Sequence, residues 1–167
     1  QVQELSTKPL INQVHCSKVI HKTVLRKVQE FFLQNKKKFD LIFIDGLHIY
    51  NQVKKDIVNS IAVLNKNGTI ILHDCLPQTL SAQAVPRHRY LWNGDVWKNI
   101  VEARTKPQID TYTCFADQGI GMIFKRPNKN KLDIDTKNFR KLRFRDFYYN
   151  YKEYLNIIDV EEINKIF

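Results

Sequence analysis

Glycine is scarce and comes late. The five glycines are Gly46, Gly68, Gly94, Gly119 and Gly121, so no Gly-x-Gly turn can form ahead of position 46. Glycine is the residue that lets backbone approach a ligand closely with positive φ, so a glycine-rich cofactor loop is excluded from that stretch. Cysteine is equally thin. Cys16, Cys75 and Cys114 are dispersed, which fits reduced thiols and excludes a disulfide framework or a paired zinc motif. No apolar run reaches the roughly 18 to 20 residues needed to cross a bilayer. The opening Gln1-Val2-Gln3-Glu4-Leu5 has neither a leader nor a cleavage pattern, so a cytoplasmic location and no membrane partner are expected. A chain that begins with Gln also fits a fragment of something longer.

Acidic residues are outnumbered, 17 against 27 basic ones, for a formal charge of +10. Such a balance suits nucleic acid, an anionic membrane or a phosphorylated substrate. Here the lysines are spread along the chain and no nucleic-acid motif accompanies them, so solvated helix faces are the better reading and nucleic acid is not an expected partner.

What is present is a core. The 167 residues are 43% hydrophobic and 11% aromatic, enough for one globular domain. Val19 to Val24 reads as a short strand, and Leu25, Val28, Phe31 and Phe32 fall at helical spacing. Phe39 to Asp45 is a strand apolar on both faces, as in the middle of a parallel sheet. Ile49, Val53, Ile57, Ile61 and Leu64 form one helical stripe. Asn65-Lys66-Asn67-Gly68 is expected to stop that helix, with Gly68 at positive φ. Thr69 to His73 is a second buried strand, which completes a βαβ unit with parallel strands. Pro77 to Arg89 reads as a loop, and Asp95 as the cap of a helix reaching about Arg104. Ile109 to Phe115 and Gly121 to Lys125 pair antiparallel. A basic linker follows, and the tail 132–167 is expected to pack as helices.

Open parallel sheets collect ligands beyond the C-terminal ends of their strands. Two such ends are Asp45-Gly46-Leu47-His48 and His73-Asp74-Cys75. Adjacent strands would bring Asp45 and Asp74 into one crevice, where two carboxylates can hold a hard cation such as Mg²⁺. His48 can act as a general base on a hydroxyl, its ordinary pKa lying near neutrality. Arg87 and Trp92 can wall a substrate cleft; Trp97 reads as a buried side chain.

The run Phe39-Asp40-Leu41-Ile42-Phe43-Ile44-Asp45-Gly46-Leu47-His48-Ile49-Tyr50, with Asp56 and Leu72-His73-Asp74-Cys75, resembles a bacterial family of small class I methyltransferases dependent on S-adenosyl-L-methionine (AdoMet). Val85-Pro86-Arg87, Trp92 to Trp97, Asp117 to Gly121 and Tyr154 to Ile158 with Glu161-Glu162 continue the resemblance over about residues 27–167. It implies an α/β, Rossmann-like sheet, mostly parallel with an antiparallel last strand, in which Asp45 ends the fourth strand and His73 the fifth. The N-terminal strands are missing or degenerate. Residues 1–126 would form a partial methyltransferase domain and 127–167 a basic linker with a helical extension packed on it.

The resemblance further places Asp45, Gly46, Leu47 and His48 against the methionine end of AdoMet. His48 falls where related catechol-type enzymes keep a catalytic Lys, and Asp45 and Asp74 where metal-dependent O-methyltransferases keep acidic ligands. His73, Arg87 and Trp92 would face the acceptor. The family's glycine turn after the first strand has no counterpart here. Gly119-Ile120-Gly121 cannot replace it, since it leads into a strand. The chain is thus a fragment or a degenerate relative, the retained polar strand ends favouring the fragment. The expected activity is O-methylation of a small-molecule or carbohydrate acceptor. The alternatives are an inactive interaction module, which could form a homo-oligomer through an exposed sheet edge, and a nucleic-acid methyltransferase or binder.

Overall fold

The computed structural model describes residues 14–15 and 22–167, with side chains from position 27 onward. In order, the elements are β1 (Val14–His15), α1 (Lys22–Gln34), β2 (Phe39–Asp45), α2 (Tyr50–Val63), β3 (Leu64–Leu72), α3 (Leu80–Gln83), α4 (Trp97–Arg104), β4 (Asp110–Cys114), β5 (Ile120–Phe124), α5 (Phe144–Leu155) and β6 (Ile157–Ile158). Short 3₁₀ turns cover Phe139–Lys141 and Val160–Lys165.

The strands form one sheet in the order β1-β2-β3-β5-β4-β6. The β1–β2, β2–β3 and β4–β6 pairs are parallel, while β5 is antiparallel to both β3 and β4. Five strands therefore run one way and β5 alone runs back, the arrangement expected of a Rossmann-like sheet with a reversed strand in the closing pair. No helix among the described residues is long and apolar enough to cross a membrane.

Helix α2 forms because its apolar positions recur every three to four residues. Tyr50, Val53, Ile57, Ser60 and Val63 are buried on one stripe, against Ile42 and Ile44 of β2 and Ile70 and Leu72 of β3 in the main core. Each fully buried Val or Ile there contributes about 1.5–3 kcal/mol. Trp97, Ile100 and Val101 of α4 enter the same core, and so do Phe147 and Leu155 of α5. A smaller cluster around Cys114, Met122, Phe124 and Ile166 lies apart from it.

Several local expectations change. The helix α1 already occupies Lys22 to Val24, and the short strand lies earlier, at Val14–His15; positions 19–21 fall outside the described residues. Helix α2 does not end in a glycine cap: Leu64 is already extended, and β3 begins there. The positive-φ glycines are Gly94 and Gly119, not Gly68. Gly68 is needed for space, because a Cβ would stand 2.8 Å from Leu64 Cγ and 3.0 Å from the Asp40 carbonyl. It closes an irregularity in which the register jumps from Phe39↔Leu64 to Leu41↔Thr69.

Asp95 caps a different helix from its own. Its carboxylate accepts the Tyr50 N–H at 2.6 Å at the start of α2, while α4 has Val96 at its N-cap and no side-chain cap. Within the expected loop, α3 is capped by Thr79, whose hydroxyl accepts the Ala82 N–H at 3.1 Å. The tail is not purely helical, since β6 adds a strand beside β4.

Candidate active site

The parallel register sets Ile44 of β2 beside Leu72 of β3, and the His73 N–H continues the ladder to the Ile44 carbonyl at 3.1 Å. Both strands therefore end at one level, and their next side chains meet. His48 Nε2 lies 3.3 Å from Asp45 Oδ1, and His48 Nδ1 lies 3.2 Å from Asp74 Oδ2. His73 Nδ1 lies 3.2 Å from the same Asp74 oxygen and 3.7 Å from Asp45 Oδ1. Two carboxylates and two imidazoles thus alternate around one crevice.

Asp74 is buried and has a left-handed backbone, φ 62°, a conformation Asp tolerates better than most residues but at a cost. Its second oxygen accepts from Asn93 Nδ2 at 2.8 Å, and the same amide nitrogen donates to Gln118 Oε1 at 3.0 Å. His73 Nε2 reaches outward to Asp117 Oδ2 at 2.8 Å. Asn93, Asp117 and Gln118 had no role on sequence grounds. Their only signal was position inside the two runs 92–97 and 117–121.

The electrostatics follow from this alternation. Hydrogen bonds from His48, then His73, hold the Asp45 carboxyl well below the usual carboxylate range. The carboxylates of Asp45 and then Asp74 push the His73 imidazole up to about 11 against the pull of burial, with Asp117 adding to them. Burial is the largest influence on His48 and lowers its pKa. The hydrogen bond to Asp45, the Asp74 charge and the Trp92 carbonyl together outweigh it, so the net displacement is upward. At neutral pH, His73 is held as a cation beside Asp45 and Asp74. Burial pushes the adjacent Cys75 thiol far up, so it is an inert core group.

Asp45, His48 and Asp74 each offer a donor atom within 4.8 Å of the others. The set does not suit Mg²⁺, which demands an octahedral, oxygen-rich shell. Imidazoles already face one oxygen of each carboxylate, so the donors offered to the crevice are mixed nitrogen and oxygen. Were both imidazoles neutral, the mixed nitrogen and oxygen donors would be of the transition-metal kind.

Trp92 and Arg87 are placed differently from each other. The Trp92 ring stacks on His48, with centroids 5.3 Å apart and planes at 19°, and its N–H donates to the Ala84 carbonyl at 2.5 Å. The Arg87 guanidinium sits 5.7 Å from the Trp92 ring centroid and donates to the Arg89 and Tyr90 carbonyls at 3.0 and 2.6 Å. Trp92 is tied to the crevice through His48, whereas two of Arg87's nitrogens are engaged within its own loop.

Comparison with known sequences bears on residues 3–75, which match a family described as a methyltransferase domain. The match is to a methyltransferase. It takes in Asp45, His48, His73 and Asp74 and stops at Cys75. No curated protein matches the chain. Among solved structures, the methyltransferase PaMTH1 of Podospora anserina, determined with SAH bound, is similar at 19% identity and a TM-score of 0.40, covering 64% of this chain. The chain spans 58% of the length of that protein.

Proposed function

We propose that the crevice at the ends of β2 and β3 serves methyl transfer from AdoMet to a hydroxyl oxygen of a small-molecule or carbohydrate acceptor. The observation that carries this reading is the meeting of Asp45, His48, His73 and Asp74 at adjacent parallel strand ends, inside the segment that matches a methyltransferase domain. Such strand ends are where an open parallel sheet presents ligands to its catalytic groups.

AdoMet supplies an activated methyl group, so the protein's work is to position the acceptor and to remove its proton. Asp45 to His48 would border the donor. His48 Nε2 donates to Asp45 while protonated, and takes the acceptor proton once the ring has been deprotonated. Asp45, 3.3 Å away, stabilises the resulting imidazolium, and the Trp92 carbonyl at 3.1 Å holds the Nδ1–H side of the ring. Because the His48 pKa is raised, the base form is populated at higher pH than in a free histidine, and the rate should climb as the ring is deprotonated. No step is assigned to Mg²⁺, for which the donor set is unsuited.

The absence of glycine ahead of Gly46 leaves no close-approach turn for AdoMet on the strand preceding the crevice, and weak cofactor binding is expected. Calorimetric titration should give no micromolar affinity. The activity test therefore uses methyl-labelled AdoMet at high concentration, with a panel of phenolic and sugar acceptors. Label should appear on acceptor oxygen, and His48→Ala should lower turnover by about 10² to 10⁴ while affecting AdoMet binding far less. Unchanged turnover in that variant removes His48 as the base. No transfer to any acceptor, together with no AdoMet binding, favours an inactive interaction module instead.

A further inference from the structure

We propose that Trp92-Asn93-Gly94-Asp95 is a clamp that sets the working geometry of His48 and Asp74, with Trp92 and Asn93 as positioning residues. The inference rests on the reading of the crevice as a methyltransferase site, but its physical content is independent of the acceptor. The four residues meet the crevice wall at three atoms: His48 Nδ1, Asp74 Oδ1 and the His48 carbonyl oxygen. The Trp92 carbonyl faces His48 Nδ1 at 3.1 Å while its ring stacks on the imidazole. Asn93 donates to Asp74 Oδ1 at 2.8 Å. Gly94 passes so close to His48 that a Cβ would stand 1.7 Å from the His48 carbonyl oxygen. Asp95 donates its N–H to that carbonyl at 3.1 Å and accepts the Tyr50 N–H at 2.6 Å.

The consequences are directional. A neutral imidazole has one N–H and one lone pair, and its tautomer is set by the partner of the other nitrogen. A carbonyl can only accept, so Trp92 favours a proton on Nδ1, and the same ring orientation sets Nε2 against the Asp45 carboxylate at 3.3 Å across the crevice. Stacking removes the freedom of the ring to flip about χ2. On Asp74, the Asn93 bond restrains one oxygen and leaves Oδ2 to the two imidazoles. The clamp is itself anchored: the Asn93 and Gly94 N–H groups both reach the Ala82 carbonyl, at 2.9 and 3.1 Å, and Asn93 is also tied to Gln118.

The test uses the whole chain with ¹⁵N-labelled histidine, reading the imidazole nitrogen signals alongside the backbone amide spectrum. In the wild type, His48 should show a slowly exchanging Nδ1–H. Trp92→Ala should abolish that slow exchange and broaden the ring signals through rotamer averaging. Asn93→Asp places an acceptor where a donor stood, and should shift the ring signals of both His48 and His73. Both variants should leave the β4–β5 amides in place, and Trp92→Phe, which keeps a stacked ring, should restore the wild-type signature. If either stronger variant unfolds, Trp92→Phe and Asn93→Ser carry the comparison, with a small or no shift expected for Phe and a clear one for Ser. Unaltered His48 and His73 signals in the folded variants overturn the clamp. An altered signature with no methyl transfer by the wild type leaves the clamp standing and removes only the transferase reading.

Discussion

The segment that matches a methyltransferase domain and the segment beyond it divide the crevice between them. Residues 3–75 bring every candidate chemical group: Asp45, His48, His73 and Asp74. Residues 76–167 bring none of these, yet they supply Trp92, Asn93 and Asp117, whose hydrogen bonds orient the side chains, and Asp95, which holds the His48 backbone carbonyl. The first segment places its groups by strand register, a property of backbone pairing. The second reaches them by single hydrogen bonds from loops. Register brings the reacting groups to one end of the sheet, but the ring planes and carboxylate torsions are decided from elsewhere. Damage to the second segment should therefore disturb geometry as well as stability.

The largest test of that division is Gly94→Ala. The new Cβ would overlap the His48 carbonyl, and backbone at φ 63° is itself unfavourable for alanine. Overpacking of about 1–3 kcal/mol and a left-handed penalty of about 1–2 kcal/mol combine to a loss of roughly 2–5 kcal/mol. Gly68→Ala in the first segment meets contacts of 2.8 to 3.0 Å without a positive φ, so only the packing part, about 1–3 kcal/mol, applies. Urea denaturation of the two variants ranks them. A loss at Gly68 equal to that at Gly94 would show the clamp to be no tighter than an ordinary strand contact.

The next effect is pH dependence, and it belongs to the first segment. The His73 pKa is raised from 6.5 to about 11. Its contribution to stability is fully present below 6.5 and is lost as pH rises toward 11. Asp45 is shifted the other way from 3.8, so its contribution is present above about 4 and is lost as pH falls below that. These are two views of one set of contacts and are not summed. Stability should be greatest between those limits and should fall from neutral pH to pH 10. His73→Gln should flatten that fall when urea midpoints are followed across the range. An equally steep fall in the variant would assign the pH dependence to other groups.

What could be read from sequence tracks the same division. β2 and β3 were legible as short continuous apolar runs and α2 by its 3.6-residue stripe, all within the segment itself, and the Asp45–Asp74 meeting followed from parallel register. Asp95 was read as the cap of its own helix because capping patterns are local, whereas its real partner, Tyr50, lies 45 residues earlier. Asn93 and Asp117 were invisible for the same reason: their partners are 19 and 44 residues away, and no period in the chain encodes such a pairing. Gly68 was misread because a close approach between strands and a helix stop both call for glycine. β6 is only two residues long, too short for alternation to declare itself.

The smallest expected effect is at the outer end of the network. Asp117 accepts from His73 Nε2 at 2.8 Å, but its side chain is 63% exposed, and its influence on the His73 pKa ranks behind those of Asp45, Asp74 and burial. An ion pair with one partner in water is worth about 0.2–1 kcal/mol. Asp117 also has a positive φ of 49°, which asparagine tolerates equally well, so Asp117→Asn removes the charge without straining the turn. The variant should lose no more than about 1 kcal/mol at neutral pH, and the loss should shrink in high salt because the exposed pair is screened. It should leave the His48 ring signals in place, since Asp117 pairs with His73 Nε2 on the side away from Asp45 and Asp74. A loss as large as that of His73→Gln would mean that the crevice is held from its solvent side, and the weight assigned to Asp45 and Asp74 would have to move outward.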